Sequence, residues 1–255
     1  MTYSWKIDKW LTDFFGIEFA CLDLGNIASE INEAHLVESR CLHASPKGVQ
    51  QISIRFDQLK LAPTLEQAGF TLVDGQFEFA GTIETPVSFK QPPVGSVRLV
   101  RKSDLSRIEE ITRVCFTEND QFSGRFNNRK WFTKEASQRY YMQWNLRALD
   151  QYPQLFAVWE DDAVHSFVNL FHHERRGVSY IKVGLAAAVS GLEIRGLQNL
   201  QQTFLYSTLP LGEYRTINAP SISNIAGIRL NMSANRNLLS SNLIFFRGSD
   251  QFEPV

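Results

Sequence analysis

Residues 180–204 read YIKVGLAAAVSGLEIRGLQNLQQTF. Up to Ala188 nearly every side chain is apolar or small, with Val183 and Leu185 in the run, which is the pattern of a buried strand. Residues 189–198 carry Ser190, Gly191 and Gly196 and read as a turn. Leu197, Leu200 and Phe204 then recur at helical spacing, so a helix is predicted from Arg195 to about Ser207. A strand that opens through a glycine-bearing turn into a helix leaves backbone N–H groups unpaired and aimed at one point, a setting that suits phosphate or another anion. Structural strand-to-helix turns use glycine too, so the stretch admits both readings.

Composition narrows the class. At 255 residues the chain has the length of two modest domains or one large one. Hydrophobic residues make up 44%, which is enough for a real core, and the 19 Phe predict that aromatic rings fill it. A net charge of −1 without a long basic block points away from nucleic-acid and anionic-membrane surfaces. Cys21, Cys41 and Cys115 are scattered and lack CxxC spacing, so they read as buried thiols rather than a disulfide framework or a zinc site, and no metal is expected. The N-terminus, MTYSWKIDKWLTDFF, is charged and lacks the apolar run of a signal peptide. No stretch approaches ~20 apolar residues, so no membrane span is expected. The expectation is a reduced, soluble, cytoplasmic protein.

Two units follow from the order of patterns. In residues 1–90, an aromatic knot at Phe14 and Phe15 precedes a strand over 19–24. A helix over 29–38 and a strand over 51–56, with Ile52, Ile54 and Phe56 on one side, come next. A short helix starts at Thr64 and stops at Gly69, and 70–79 runs extended through an Asp74-Gly75 turn. FKQPPVG, at 89–95, reads as a linker. The second unit, 95–255, begins with a strand over 96–100 and a helix capped by Ser103, with Asp104 in its first turn and Leu105, Ile108 and Ile111 inward. A polar loop over 119–128 holds Phe122, Arg125 and Phe126. The helix predicted over 131–149 carries Trp131, Phe132, Tyr140, Tyr141 and Trp144. Those rings read either as core or as a pocket wall that stacks on a sugar or base, and Arg125 nearby suits phosphate recognition. A hairpin is predicted from strands 155–160 and 165–171, with a charged turn over 174–177. His172 and His173 point to opposite faces of a strand and make poor joint metal ligands. Strands over 214–219 and 238–247 flank a short helix over 224–232.

The second unit is therefore β-α-α-β-β-β-α-β-α-β, with an anion-suited turn after its fourth strand. That order resembles the GNAT acetyltransferase fold, a mixed α/β (α+β) sheet, here preceded by a smaller α/β unit on the substrate or dimer side. Within it, the chain looks like the dTDP-fucosamine N-acetyltransferase (WecD-like) group, through FFGI at Phe14, LEQAGFTLVDG at Leu65, GRF at Gly124, RYYMQW at Arg139 and NIAGIRLN at Asn224. The resemblance implies transfer of an acetyl group from acetyl-CoA to the amine of an amino sugar, nucleotide-linked, with a homodimer as a possible assembly.

The resemblance also implies site residues. Acetyl-CoA would lie along Ala186, Ala187 and Ala188, with the oxyanion held by backbone N–H near Ala188. Its pyrophosphate would meet the turn at Glu193, Arg195, Gly196, Leu197 and Gln198, its pantetheine arm Asn224, and its nucleotide phosphates Arg229. The acceptor would meet Phe122, Arg125, Phe126, Trp131, Tyr140, Tyr141 and Trp144. Two departures stand out. The family turn reads (Gln or Arg)-x-x-Gly-x-(Gly or Ala), and here only Gly196 fits, with Glu193 and Gln198 at the other fixed positions. The family places a Tyr about seven residues beyond the Asn to protonate the departing sulfur, and here Asn231 stands there. A carboxamide donates a hydrogen bond but is no proton source at neutral pH. A GNAT-fold binding module without catalysis is therefore the rival reading, together with an acyltransferase using a different donor or acceptor.

Overall fold

In the computed structural model, which describes residues 5–25, 48–119, 124–175, 177–189 and 194–248 with the side chains of 194 and 195 excepted, ten strands form one mixed sheet. They are β1 (Lys6–Ile7), β2 (Glu18–Asp23), β3 (Gly48–Arg55), β4 (Thr71–Thr85) and β5 (Ser96–Leu99), then β6 (Phe156–Glu160), β7 (Val164–Arg175), β8 (Val178–Ala188), β9 (Gly212–Asn218) and β10 (Asn237–Gly248). The sheet order is β1-β2-β3-β10-β4-β9-β8-β7-β6-β5. The pairs β2–β3 and β8–β9 are parallel, the others antiparallel. Among the described residues the α-helices are α1 (Lys9–Phe15), α2 (Ala62–Gln67), α3 (Leu105–Thr112), α4 (Lys134–Gln151), α5 (Ile194–Ser207) and α6 (Ile225–Ser233). The mixed α/β class expected from the sequence is the class observed.

Period-2 alternation sorts side chains to the two faces of the sheet. On β10, Ile244 and Phe246 join the core under α1 and α4, while Leu243 and Phe245 join a second core under α2. Helix α5 covers the opposite end, where Leu205 packs on Val97, Ala157, Val168 and Ile181. The first of these cores is largely aromatic: Phe15, Phe126, Phe132 and Tyr140 stack or tilt against one another with ring centroids 4.1–6.2 Å apart.

Four local expectations are corrected. Asp74-Gly75 is not a turn but lies inside β4, paired with Ile244 and Leu243 of β10. Ser103 does not cap a helix; it sits in a 3-10 turn, Lys102–Asp104, where the Asp104 carboxylate accepts from the Arg101 N–H at 2.7 Å. Helix α4 starts three residues later than Trp131, because Thr133 takes the N-cap and its hydroxyl accepts from the Ala136 N–H. The β7–β8 hairpin runs past the expected turn, with Glu174 paired to Ser179. The helix expected over 29–38 lies outside the described residues.

Strand β4 has the larger consequence. It comes from the first 90 residues, yet it pairs with β9 on one side and β10 on the other. The wall of the sheet beside β8 and β9 is thus built partly by the N-terminal segment.

Candidate active site

Strands β8 and β9 pair at Tyr180↔Arg215, Ile181↔Thr216 and Lys182↔Ile217, and the pairing stops there. From Val183 to Ala188, β8 is paired to β7 alone, so its other edge carries backbone groups that face a cavity. The cavity has a volume of about 900 Å³, in the range of small-molecule sites. It is lined by Lys182–Ala188, by Asp74 and Gln76 of β4, by Arg125, Phe126, Tyr141 and Trp144, by Cys115 after α3, by Gln198 of α5, and by 218–221 and 223–227 at the start of α6.

A bulge shapes β8 at this point. Val168 pairs with Ala186 and Leu170 with Val183, so β8 has one residue more than β7 between them. The extra residue reverses the phase of the strand: Ile181 and Val183 pack under α5, while Leu185 and Ala187 pack on the α4 side. Four buried groups pin it. The Leu185 N–H donates to Asn169 Oδ1 (2.9 Å), Asn169 Nδ2 to Asn145 Oδ1 (2.7 Å), Asn145 Nδ2 to Thr112 Oγ1 (2.9 Å), and Thr112 Oγ1 to the Ile108 carbonyl (2.6 Å). The chain ties α3, α4 and β7 to the bulge. Gly184 is required there, since a Cβ would lie 2.1 Å from Asn169 Oδ1.

At the Asp74 end, the Ser221 hydroxyl donates to Asp74 Oδ1 (2.6 Å) and the Arg125 N–H reaches Asp74 Oδ2 (3.3 Å). Burial pushes the Asp74 carboxyl above the usual carboxylate range, against the Ser221 hydrogen bond and the Arg125 charge. Partial desolvation in the groove lowers the Lys182 amine from its ordinary value, although the residue keeps solvent access, and the Arg125 charge lowers it further. Burial raises the Cys115 thiol, which donates to the Ala188 carbonyl at 3.3 Å. Tyr141 is raised by burial and holds its proton through neutral pH.

Nine of the residues singled out in the sequence meet in this cavity: Ala186, Ala187, Ala188, Gln198, Asn224, Arg125, Phe126, Tyr141 and Trp144. Asn224 also caps α6, its Oδ1 accepting from the Gly227 N–H at 2.8 Å. Others stand apart. Trp131 and Tyr140 are 3% and 2% exposed and belong to the aromatic core, Trp131 edge-on to Phe246 and Tyr140 stacked on Phe126. Asn231 does not line the cavity; it is fully buried, donating to the Gly227 carbonyl and accepting from Arg236, which also donates to Gln202 and Tyr206. Arg229 is exposed, and Leu197 packs from α5 onto the core beneath it, both away from the cavity lining, as is Gly196. Phe122 and Glu193 and the Arg195 side chain lie outside the described residues.

Sequence reasoning missed Asp74, Gln76, Lys182 and Ser221. The Asp-Gly pair reads as a turn and hides Asp74. Lys182 did carry a signal, as the lone charge within YIKVGLAAA.

No family model matches the chain, and no curated protein matches it. Solved structures do. A functionally unknown conserved protein from Staphylococcus epidermidis superposes with a TM-score of 0.59 at 9% identity, covering 91% of this chain and 85% of that one. A GCN5-related N-acetyltransferase from Sphaerobacter thermophilus gives 0.54 at 16% identity, covering 91% and 75%. Another from Kribbella flavida gives 0.52 at 11%, covering 92% and 83%. At these identities the likeness is one of fold: the chain has the mixed sheet of the GNAT acetyltransferases.

Proposed function

We propose that the protein is an acyl-CoA-dependent N-acetyltransferase, with acetyl-CoA as co-substrate and the amine of an amino sugar, nucleotide-linked, as acceptor. The observation that carries the reading is the parting of β8 from β9 over a cavity in a GNAT fold. Unpaired backbone groups along Val183–Ala188 offer a strand-like edge on which the amide-bearing arm of acetyl-CoA can pair, as a peptide adds to a sheet edge.

In this reading the acceptor amine attacks the thioester carbon directly. A C–N bond forms, the C–S bond breaks, CoA leaves as its thiolate, and backbone N–H near Ala188 holds the oxyanion. The acceptor ammonium must first lose a proton. Of the carboxylates lining the groove among the described residues, Glu118 is held in ion pairs with Arg113 and Lys134, while Asp74 is buried at the acceptor end. Asp74 is the proton acceptor in this scheme. Tyr141, protonated and in the groove, can donate a hydrogen bond to the departing sulfur, which leaves as a thiolate and takes its proton from solvent.

The seclusion of Asn231 in the Arg236 network favours one second reading, a binding module that holds acyl-CoA without turnover. Calorimetric titration with acetyl-CoA, with CoA as control, followed by thiol release with amino-sugar nucleotides, separates the two. Saturable micromolar binding with thiol release is the expected result. Binding without release supports the module, and no binding at millimolar acetyl-CoA overturns both.

A further inference from the structure

We infer that Arg125 and Lys182 recognise the anionic group of the acceptor, the phosphate of a nucleotide-linked sugar or a carboxylate, where β8 and β9 part. The inference rests on the reading that the groove takes an acyl acceptor. Two cations line one cavity, and among the described residues neither makes an ion pair. The Arg125 guanidinium lies over the Phe126 ring at 4.9 Å, and its Nη1 reaches Gln76 Oε1 at 3.3 Å. Its Nε is buried with no hydrogen-bond partner. A buried donor left unpaired costs free energy, and a bound oxyanion would satisfy it.

Lys182 extends the case. It precedes the point where β8 and β9 part, its side chain reaches solvent, and its amine has no hydrogen-bond or ion-pair partner among the described residues, so it is free to turn to a ligand in the groove. Arg125 acts on it as a like charge, and an anion between the two would relieve that repulsion. The local carboxylates do not fill this role. Asp74 accepts from Ser221 and from the Arg125 backbone, and Glu78 acts on Lys182 from β4 without forming an ion pair.

Geometry separates this pair from the phosphates of a CoA. Lys182 and Ala188 are six residues apart on one strand, roughly 20 Å. α5 begins beyond the Ala188 end, whereas Lys182 sits in the middle of β8, where the unpaired edge starts, so the cations lie away from the helix that follows the strand. A planar guanidinium beside an ammonium suits carboxylate and phosphate alike.

The test uses three small amino sugars of one scaffold as probes of the anion: glucosamine 6-phosphate, whose phosphate stands for that of a nucleotide-linked sugar, muramic acid, and glucosamine itself. Calorimetry on the full chain with acetyl-CoA or CoA present reads the acceptor directly, independent of turnover. At least one anionic sugar is expected to bind ~10- to 100-fold tighter than glucosamine, the range of charge-assisted hydrogen bonds. Phosphate over carboxylate, or the reverse, then names the anion. Lys182→Gln should compress that ratio toward one, and Lys182→Arg should restore most of it. Equal binding of all three, or a ratio untouched by Lys182→Gln, overturns the inference. Failure to bind acetyl-CoA overturns the proposed function instead, and in that case the three sugars titrated alone, with the same ratio and the same Lys182→Gln comparison, decide the anion site.

Discussion

At the scale of single residues, the proposed function makes Asp74 the place where stability and activity conflict. The residue is 7% exposed and its carboxyl is raised by burial, against the Ser221 hydroxyl, the Arg125 charge and the Arg125 and Gly75 backbone N–H groups. A carboxyl whose folded pKa exceeds its unfolded one favours folding when protonated. That stabilisation is fully present below the unfolded value of ~3.9 and is lost as pH rises through the folded value. Asp74→Asn keeps an acceptor for Ser221 and cannot ionise. It is therefore expected to be at least as stable as the wild type at neutral pH, by denaturant midpoint. Its turnover should fall by about 10²- to 10⁴-fold, the usual loss on removing a general base. The acidic limb of the wild-type pH–rate profile, lying above the ordinary carboxylate range, should vanish with it. Unchanged turnover would remove Asp74 from the chemistry. The sequence concealed this residue for a physical reason. Asp-Gly is favoured in turns because both residues tolerate turn dihedrals, and here the pairing with β10, with the Ile222 N–H donating to the Gly75 carbonyl, overrides that local preference.

At the scale of elements, the sequence showed β8 and α5 well and their irregularity not at all. The apolar run and the spacing of Leu197, Leu200 and Phe204 locate strand and helix within two residues. A bulge leaves no such trace, because its cause lies in Asn145 and Asn169, which sit on a helix and a neighbouring strand. Gly184 was the one local hint. Glycine within a strand marks close approach, and here the approach is by Asn169 and by the Phe171 ring, 2.5 Å from where a Cβ would sit. Gly184→Ala should push Asn169 from the Leu185 N–H and strain the buried chain to Thr112. The expected cost is ~1–3 kcal/mol, the range for overpacking a core, read from chemical denaturation. Because the bulge sets which way Leu185 and Ala187 face, acetyl-CoA affinity should fall as well. A variant with wild-type stability would mean that the bulge relaxes without loss.

At the scale of the whole molecule, the order of elements was legible and the order of strands was not. Local periodicity finds strands one at a time, whereas β4 takes its place between β9 and β10 through contacts more than a hundred residues distant in sequence. Its position decides where function can reside, because Asp74 and Gln76 enter the groove from β4 while the acyl donor would run along β8. A fragment starting at residue 95 retains the strand–helix order that resembles an acetyltransferase, but it lacks β4. Strands β9 and β10 would each lose their common partner, exposing backbone N–H and C=O groups and the apolar side chains of an open edge. Phe246 and Ile244 would lose the α1 side of the aromatic core with it. The fragment is expected to aggregate or to unfold without a cooperative transition, while a peptide of residues 1–90 supplied in trans should restore a soluble complex. Circular dichroism melts and gel filtration of the fragment, alone and with the peptide, measure this. A fragment that melts cooperatively and binds acetyl-CoA unaided would place the whole site within residues 95–255 and reduce β4 to a passive neighbour.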